Sequence, residues 1–213
     1  MVQVIGIAGA SCSGKTTLAK RLAERLPDGP ATIVSLDSYY RDLSHLTPEQ
    51  RAAWNFDAPE ALDDGLLFQH LRALLEGAAT ERPVYDFSTH TRAARPERVN
   101  PARFIIIEGL FVLYWPEIRY LLGTKVFIAV RDEVCLARRI ARDVRERGRT
   151  EESVRAQYAA TVRPMYEEYC EPTARFADIR VSGEEPVDQL AETVLRHIAG
   201  PYSAARALSE GHQ

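Results

Sequence analysis

The chain has 213 residues, the size of one ordinary domain, and 46% of them are hydrophobic, enough to bury a core and to argue against disorder. Its 27 Lys and Arg against 30 Asp and Glu give a formal charge of −3, which argues against a broad nucleic-acid or membrane surface but leaves room for a local basic patch. No apolar run approaches the roughly 18 residues of a membrane helix.

The first residues, Met1-Val2-Gln3-Val4-Ile5-Gly6-Ile7, carry no basic leader, so no signal peptide is expected. The spacing predicts a buried strand over 2–8 and a helix over 15–26, with Leu18, Leu22 and Leu26 on one face. Further strands are predicted over 32–36, 104–107, 125–130 and 178–181. Helices are predicted over 47–54, 63–75, 116–122, 132–147, 150–169 and 186–199. Fully apolar strands alternating with helices imply an α/β fold, a five-stranded parallel sheet flanked by helices. Residues 1–199 read as a single domain, and 200–213 as a C-terminal tail. Residues from about 82 to 103, with Pro83, Pro96 and Pro101, interrupt the alternation as a hairpin-like insertion or a long functional loop. Cys12, Cys135 and Cys170 show no paired spacing for zinc or a disulfide framework, so a cytoplasmic location is the simplest expectation.

Gly9-Ala10-Ser11-Cys12-Ser13-Gly14-Lys15-Thr16, followed by Thr17, fits the pattern Gly, four residues, Gly-Lys-Ser/Thr, between a predicted strand and a predicted helix. Glycines aim backbone N–H groups inward, the helix N-terminus adds its dipole, Lys15 can reach β/γ-phosphates and Thr16 can hold Mg²⁺. The chain has no Asn-Lys-x-Asp guanine signature, and its third long strand ends in Glu108-Gly109, which points to ATP rather than GTP. Ligands of open parallel sheets bind beyond the strands' carboxyl ends, where Asp37 and Glu108 fall. Glu108 reads as the metal-side acid, directly or through water. Asp37 reads either as a base for an attacking hydroxyl or as the cap of the next segment.

Between Arg131 and Arg149 lie seven arginines and four acids, a net +3. Helical spacing predicts a buried stripe of Val134, Ala137, Ile140, Ala141 and Val144, with Arg138, Arg139, Arg142 and Arg145 on another face. Residues from about 138 to 157 then read either as an arginine-rich lid over phosphate oxygens or as a solvated charged helix face, and Arg147-Gly148-Arg149 marks a helix end. Asp57, before Ala58-Pro59, is a turn residue or a ligand for vicinal hydroxyls. Tyr85 and Phe87 are spaced to share one side of a strand, either an ordinary half-buried strand with His90 on the surface or a platform that stacks a flat base whose edge His90 would read.

These residues, with Ser35-Leu36-Asp37-Ser38-Tyr39-Tyr40-Arg41, Asn55-Phe56-Asp57-Ala58-Pro59, Tyr85-Asp86-Phe87 plus Arg92, Ile107-Glu108-Gly109, Arg142-Asp143, Gln157-Tyr158 and Pro164-Met165-Tyr166, resemble the uridine–cytidine kinases of the phosphoribulokinase/uridine kinase group. The resemblance implies a P-loop NTPase fold and transfer of a phosphoryl group from ATP, with Mg²⁺, to the 5′-hydroxyl of uridine or cytidine. It implies Asp37 as catalytic base, Lys15, Arg142 and Arg147 at the phosphates, and Asp57 on the ribose hydroxyls. Tyr85, His90 and Phe87 would meet the pyrimidine, with Arg139, Arg149 and Gln157 as further substrate contacts. It also implies a homo-oligomer, often a tetramer, and no nucleic-acid or membrane partner. The competing readings are a kinase of another small alcohol, such as a sugar phosphate, and a non-catalytic ATP-binding regulator.

Overall fold

The computed structural model describes residues 2–27 and 29–200; the tail beyond 200 lies outside them. Along the chain, β1 (Gln3–Gly9) leads into α1 (Lys15–Arg25), β2 (Thr32–Ser35), α2 (Pro48–Ala52) and α3 (Asp64–Leu75). Four short strands follow: β3 (Thr80–Arg82), β4 (Tyr85–Asp86), β5 (Thr91–Arg92) and β6 (Glu97–Val99). Then come β7 (Phe104–Glu108), α4 (Pro116–Leu121), β8 (Thr124–Ala129), α5 (Asp132–Arg147), α6 (Glu151–Gln157), α7 (Arg163–Met165), β9 (Ile179–Ser182) and α8 (Val187–Ala199).

β2, β7, β1, β8 and β9 form one parallel sheet in that order. Its strands are apolar throughout because both faces are covered. Ile5, Ile7, Ile106 and Ile128 pack under Leu18 and Leu22 of α1 and Leu190 and Val194 of α8. Their neighbours Val4, Ala8, Ile105, Ile107 and Phe127 pack against Leu67, Leu71 and Leu74 of α3 and Ile118 of α4. The 80–99 segment holds two antiparallel ladders, β3 with β6 and β4 with β5.

Two expectations differ from the structure. The helix expected over 150–169 is interrupted: α6 and α7 are separated by a π-helical turn, Tyr158–Val162, and a second, Tyr166–Cys170, follows α7. Pro164 lacks the N–H that an α-helix would give to the carbonyl four residues back, and its ring crowds that carbonyl, so the helix widens beside it. The second difference is the buried face of α5. Cys135, Arg139 and Asp143 are buried there, while Ala137, Ala141 and Val144 are exposed. The row at i, i+4, i+8 that faces inward is largely ionic, because α5 lies over the glycine loop and α6 rather than on an apolar sheet face. The burial of Arg139 and Asp143 is compensated by the contacts they make with one another and with their neighbours.

Register sets where the strand ends open. Ser35 stands opposite Glu108, and Ile7 opposite Glu108 on the other side, so the segments after β1, β2 and β7 leave the sheet at one level. Gly109 allows the last two to come together, since a Cβ there would lie 2.2 Å from Leu36 Cβ. Leu36 is the neighbour of Asp37. Gly109→Ala is therefore expected to cost about 1–3 kcal/mol of stability through overpacking, read as a lowered midpoint in thermal denaturation; an unchanged midpoint would contradict this account of the strand ends.

Candidate active site

The turn between β1 and α1 is built by Gly14, at φ 100°, and by Cys12 at φ 62°. Cys12 and His90 are the non-glycine residues with positive φ among the described ones, and both stand in the site. Helix α1 starts at Lys15 with no side-chain N-cap, so its first N–H groups are left to serve an anion. Lys15 is buried, and its ammonium donates to the Ala10 carbonyl at 2.7 Å.

The glycine loop, Thr16, Thr17, Asp37, Glu108, Arg138 and Arg142 line one cleft of about 440 Å³, which continues past Gly183 to Val187 and Leu190. Thr16 Oγ1 donates to Glu108 Oε1 at 3.2 Å. Burial pushes the Glu108 carboxyl above the usual glutamate value; Lys15 opposes the shift and Asp37 adds to it. Among the described residues no group of three or more His, Cys, Asp or Glu side chains could hold a metal. The Thr16 hydroxyl and Glu108 carboxylate nonetheless suit an ion such as Mg²⁺, which takes one or two protein oxygens and completes its shell with phosphate and water.

A second group of side chains adjoins this cleft. Tyr40 links the two: it lies 5.8 Å from Phe56, 5.1 Å from Tyr85 and 6.1 Å from Phe87, ring to ring. Burial raises its phenol well above 10, and the Asp37 and Asp57 carboxylates, one in the cleft and one in the adjoining group, raise it further. Tyr85 and Phe87 meet at 5.2 Å and 79°, edge to face, so they do not form one flat platform. β4 ends at Asp86, and the turn that follows rotates Phe87 away from the strand's pleat. A stacked pair does occur, Phe56 on His90 at 4.4 Å and 18°.

The local chain holds these rings in place. Asp86 accepts from the Ser88 N–H and from the Ser88 and Thr89 hydroxyls, which brings its carboxyl down to about 2. Arg51 donates to the carbonyls of Leu43, Leu46, Ser44 and Thr89. Arg92 donates to the Tyr40 carbonyl and pairs with Asp63, the N-cap of α3. Burial pushes the Tyr85 phenol up to about 12, and burial together with Arg51 lowers the His90 imidazole, which favours its neutral form. Tyr85 Oη and His90 Nδ1 are both buried without a hydrogen-bond partner. Such groups carry a free-energy cost that a polar ligand relieves.

Asp57 is buried, and its Oδ2 accepts from Thr161 Oγ1 at 2.8 Å, in the π-helical turn after α6. Arg139 reaches Ser11 Oγ of the glycine loop at 3.0 Å and Gln157 Oε1 at 3.3 Å, and Arg149 also donates to Gln157 Oε1. Arg147 lies 5.4 Å from the Phe87 ring centroid, a cation–π contact. Burial, then the Arg142 cation, lowers the Arg147 guanidinium, as expected where cations crowd.

The sequence-predicted residues therefore fall into two adjoining groups. Asp37, Glu108, the glycine loop and Arg142 meet in the cleft, while Asp57, Tyr85, Phe87, His90, Arg147, Arg149 and Gln157 stand in the adjoining group. Arg139 touches both. Sequence reasoning missed Phe56, Tyr40, Thr161 and Asp143 as parts of the site. Phe56 and Tyr40 sat within segments already singled out, beside Asp57 and Asp37. Nothing in the spacing could have linked Thr161 to Asp57, 104 positions away.

A glycine loop closing a parallel α/β sheet, carboxylates at two strand ends and arginines across the mouth define a P-loop kinase. Residues 4–188 match the phosphoribulokinase/uridine kinase family, and the chain belongs to it. A uridine kinase of Brevibacillus brevis is 46% identical over 83% of this chain and 82% of its own length. A uridine kinase of Salmonella paratyphi B is 47% identical over 84% and 85%. The solved phosphoribulokinase of Rhodobacter spheroides shares the fold, with a TM-score of 0.65 at 18% identity over 85% of this chain and 70% of that one. Among the described residues no helix is long and apolar enough to cross a membrane.

Proposed function

We propose that the chain transfers the γ-phosphoryl group of ATP to the 5′-hydroxyl of uridine and cytidine, giving UMP and CMP. The observation that carries the reading is the pair of buried, unpartnered polar atoms, Tyr85 Oη and His90 Nδ1, set among rings on the acceptor side of a phosphate cleft. A pyrimidine has a face for Phe56 or Phe87 and polar edge atoms for the phenol and the neutral imidazole. A sugar phosphate offers polar atoms but no flat face for the rings. The uridine kinase relatives support the same choice.

In this reading the ribose lies against Asp57, which accepts from its vicinal hydroxyls, and the 5′-hydroxyl points through the space beside Tyr40 to Asp37. Asp37 orients that hydroxyl and accepts its proton late in the transfer. A carboxylate is a weak base, so placement contributes more than basicity. Loop N–H groups, Lys15, Arg142 and Arg147 meet the charge that spreads over the moving phosphoryl group. Mg²⁺, held by Thr16 and Glu108, would neutralise phosphate oxygens when bound. Residues from about 138 to 157 act as the lid, with Arg147 against Phe87 linking it to an occupied base site and excluding water.

The test is ADP release measured across acceptors. Uridine and cytidine are expected to stimulate it; stimulation by ribulose 5-phosphate alone, or by no acceptor, would overturn the proposal. In the same assay Asp37→Ala is expected to lower turnover by about 10²–10⁴-fold while ATP binding, followed by calorimetry, persists; full turnover in that variant would remove Asp37 from the mechanism.

A further inference from the structure

Asp143 is the one acidic side chain in the arginine cluster that solvent does not reach, at 0% exposure. Its Oδ1 accepts from Arg142 Nε at 2.8 Å and lies 3.6 Å from Arg147 Nη1. Its Oδ2 lies 3.6 Å from Arg139 Nε and 3.7 Å from Arg149 Nη1. Only the first of these is a hydrogen bond, and both Oδ2 and Arg139 Nε are buried without one. The Asp143 backbone carbonyl, meanwhile, accepts from the N–H groups of Gly148 and Arg149, the turn that ends α5 and brings Arg149 back toward the carboxylate.

The four guanidiniums around this carboxylate reach different parts of the site. Arg142 lines the phosphate cleft. Arg139 holds Ser11 of the glycine loop and Gln157. Arg149 holds Gln157 from the other side, and Arg147 covers Phe87. One anion for four cations is too little for charge balance and too much for a simple surface pair. The three long contacts leave those arginines free to turn toward another anion without leaving the carboxylate's field.

We infer that Asp143 is a positioning residue for phosphoryl transfer: its buried carboxylate holds the donor-side arginines, 139 and 142, and the acceptor-side arginines, 147 and 149, in one array that a polyphosphate completes. It touches neither substrate. The inference rests on the kinase reading for its catalytic part and on charge alone for its anion-binding part. Loss of the charge, with shape kept, separates the two. Asp143→Asn leaves an uncompensated cationic array, so nucleotide should bind as tightly as before or more tightly, while arginines no longer held in place serve the transition state poorly.

The experiment compares wild type, Asp143→Asn and Asp143→Glu in steady-state kinetics, ATP calorimetry and thermal melting with inorganic tripolyphosphate. For Asp143→Asn the expected result is a kcat about 100-fold lower with an ATP Kd unchanged or lower, and a tripolyphosphate-induced rise in melting midpoint larger than in wild type. Asp143→Glu, which keeps the charge, should recover part of kcat. Wild-type kcat in Asp143→Asn, or an ATP affinity that falls together with kcat, would overturn the inference. If Asp143→Asn is unfolded alone, tripolyphosphate should restore its melting transition, and failure to do so counts against the inference. A wild-type protein with no acceptor-stimulated ADP release would instead overturn the kinase reading, and the tripolyphosphate comparison would still decide the anion-binding part.

Discussion

Fixed positive charge gathered at one end of an apolar sheet is the constraint around which this molecule is arranged. Lys15, the first N–H groups of α1 and the α5 arginines converge where β1, β2 and β7 end. Cations at this density repel one another, which adds to burial in lowering the Arg147 guanidinium. They are tolerable because Asp143 stands among them and because Asp37 and Glu108 face them from the strand ends. A polyanion entering the cleft meets donors already in place, with little reorganisation left to occur during reaction.

The sheet makes this arrangement possible by supplying rigidity without polar groups of its own. Its side chains alternate between two apolar layers, and register brings the exits of its central strands to one level. The adjoining aromatic group is assembled differently, from short ladders, turns and a widened helix. There Arg51, Arg92 and Asp86 hold loops by hydrogen bonds to main-chain and hydroxyl groups. Such segments adapt to a ligand more readily than a strand does, in keeping with a site that must admit one substrate beside another.

Much of the fold was legible because its signals are local. Uninterrupted apolar runs with intervening helical periods marked the parallel sheet, and the boundaries of α5 at Asp132 and Arg147 follow from its acidic start and the glycine after it. The glycine loop is a contiguous motif and was equally plain. The inner face of α5 was not, because periodicity assigns the apolar stripe to the interior, and here the interior is an ionic cleft that buries Arg139 and Asp143. The stacking partner of His90 was missed for a related reason: Phe56 reaches it from a separate segment, and alternation along a strand says nothing about rings supplied by another loop. Thr161 gains its place inside a π-helical turn, where the register departs from that of the α-helix before it.

The account depends on the donor and acceptor groups of side chains serving one reaction across Asp37. The most direct measurement is a crystal structure of the protein with uridine, Mg²⁺ and a non-hydrolysable ATP analogue. The account predicts the ribose 5′-oxygen within about 2.6–3.2 Å of the Asp37 carboxylate, in line with the terminal phosphorus, and the pyrimidine beside Tyr85 and the stacked Phe56–His90 pair. A nucleoside bound with its 5′-oxygen directed away from Asp37, or outside the aromatic group altogether, would contradict it.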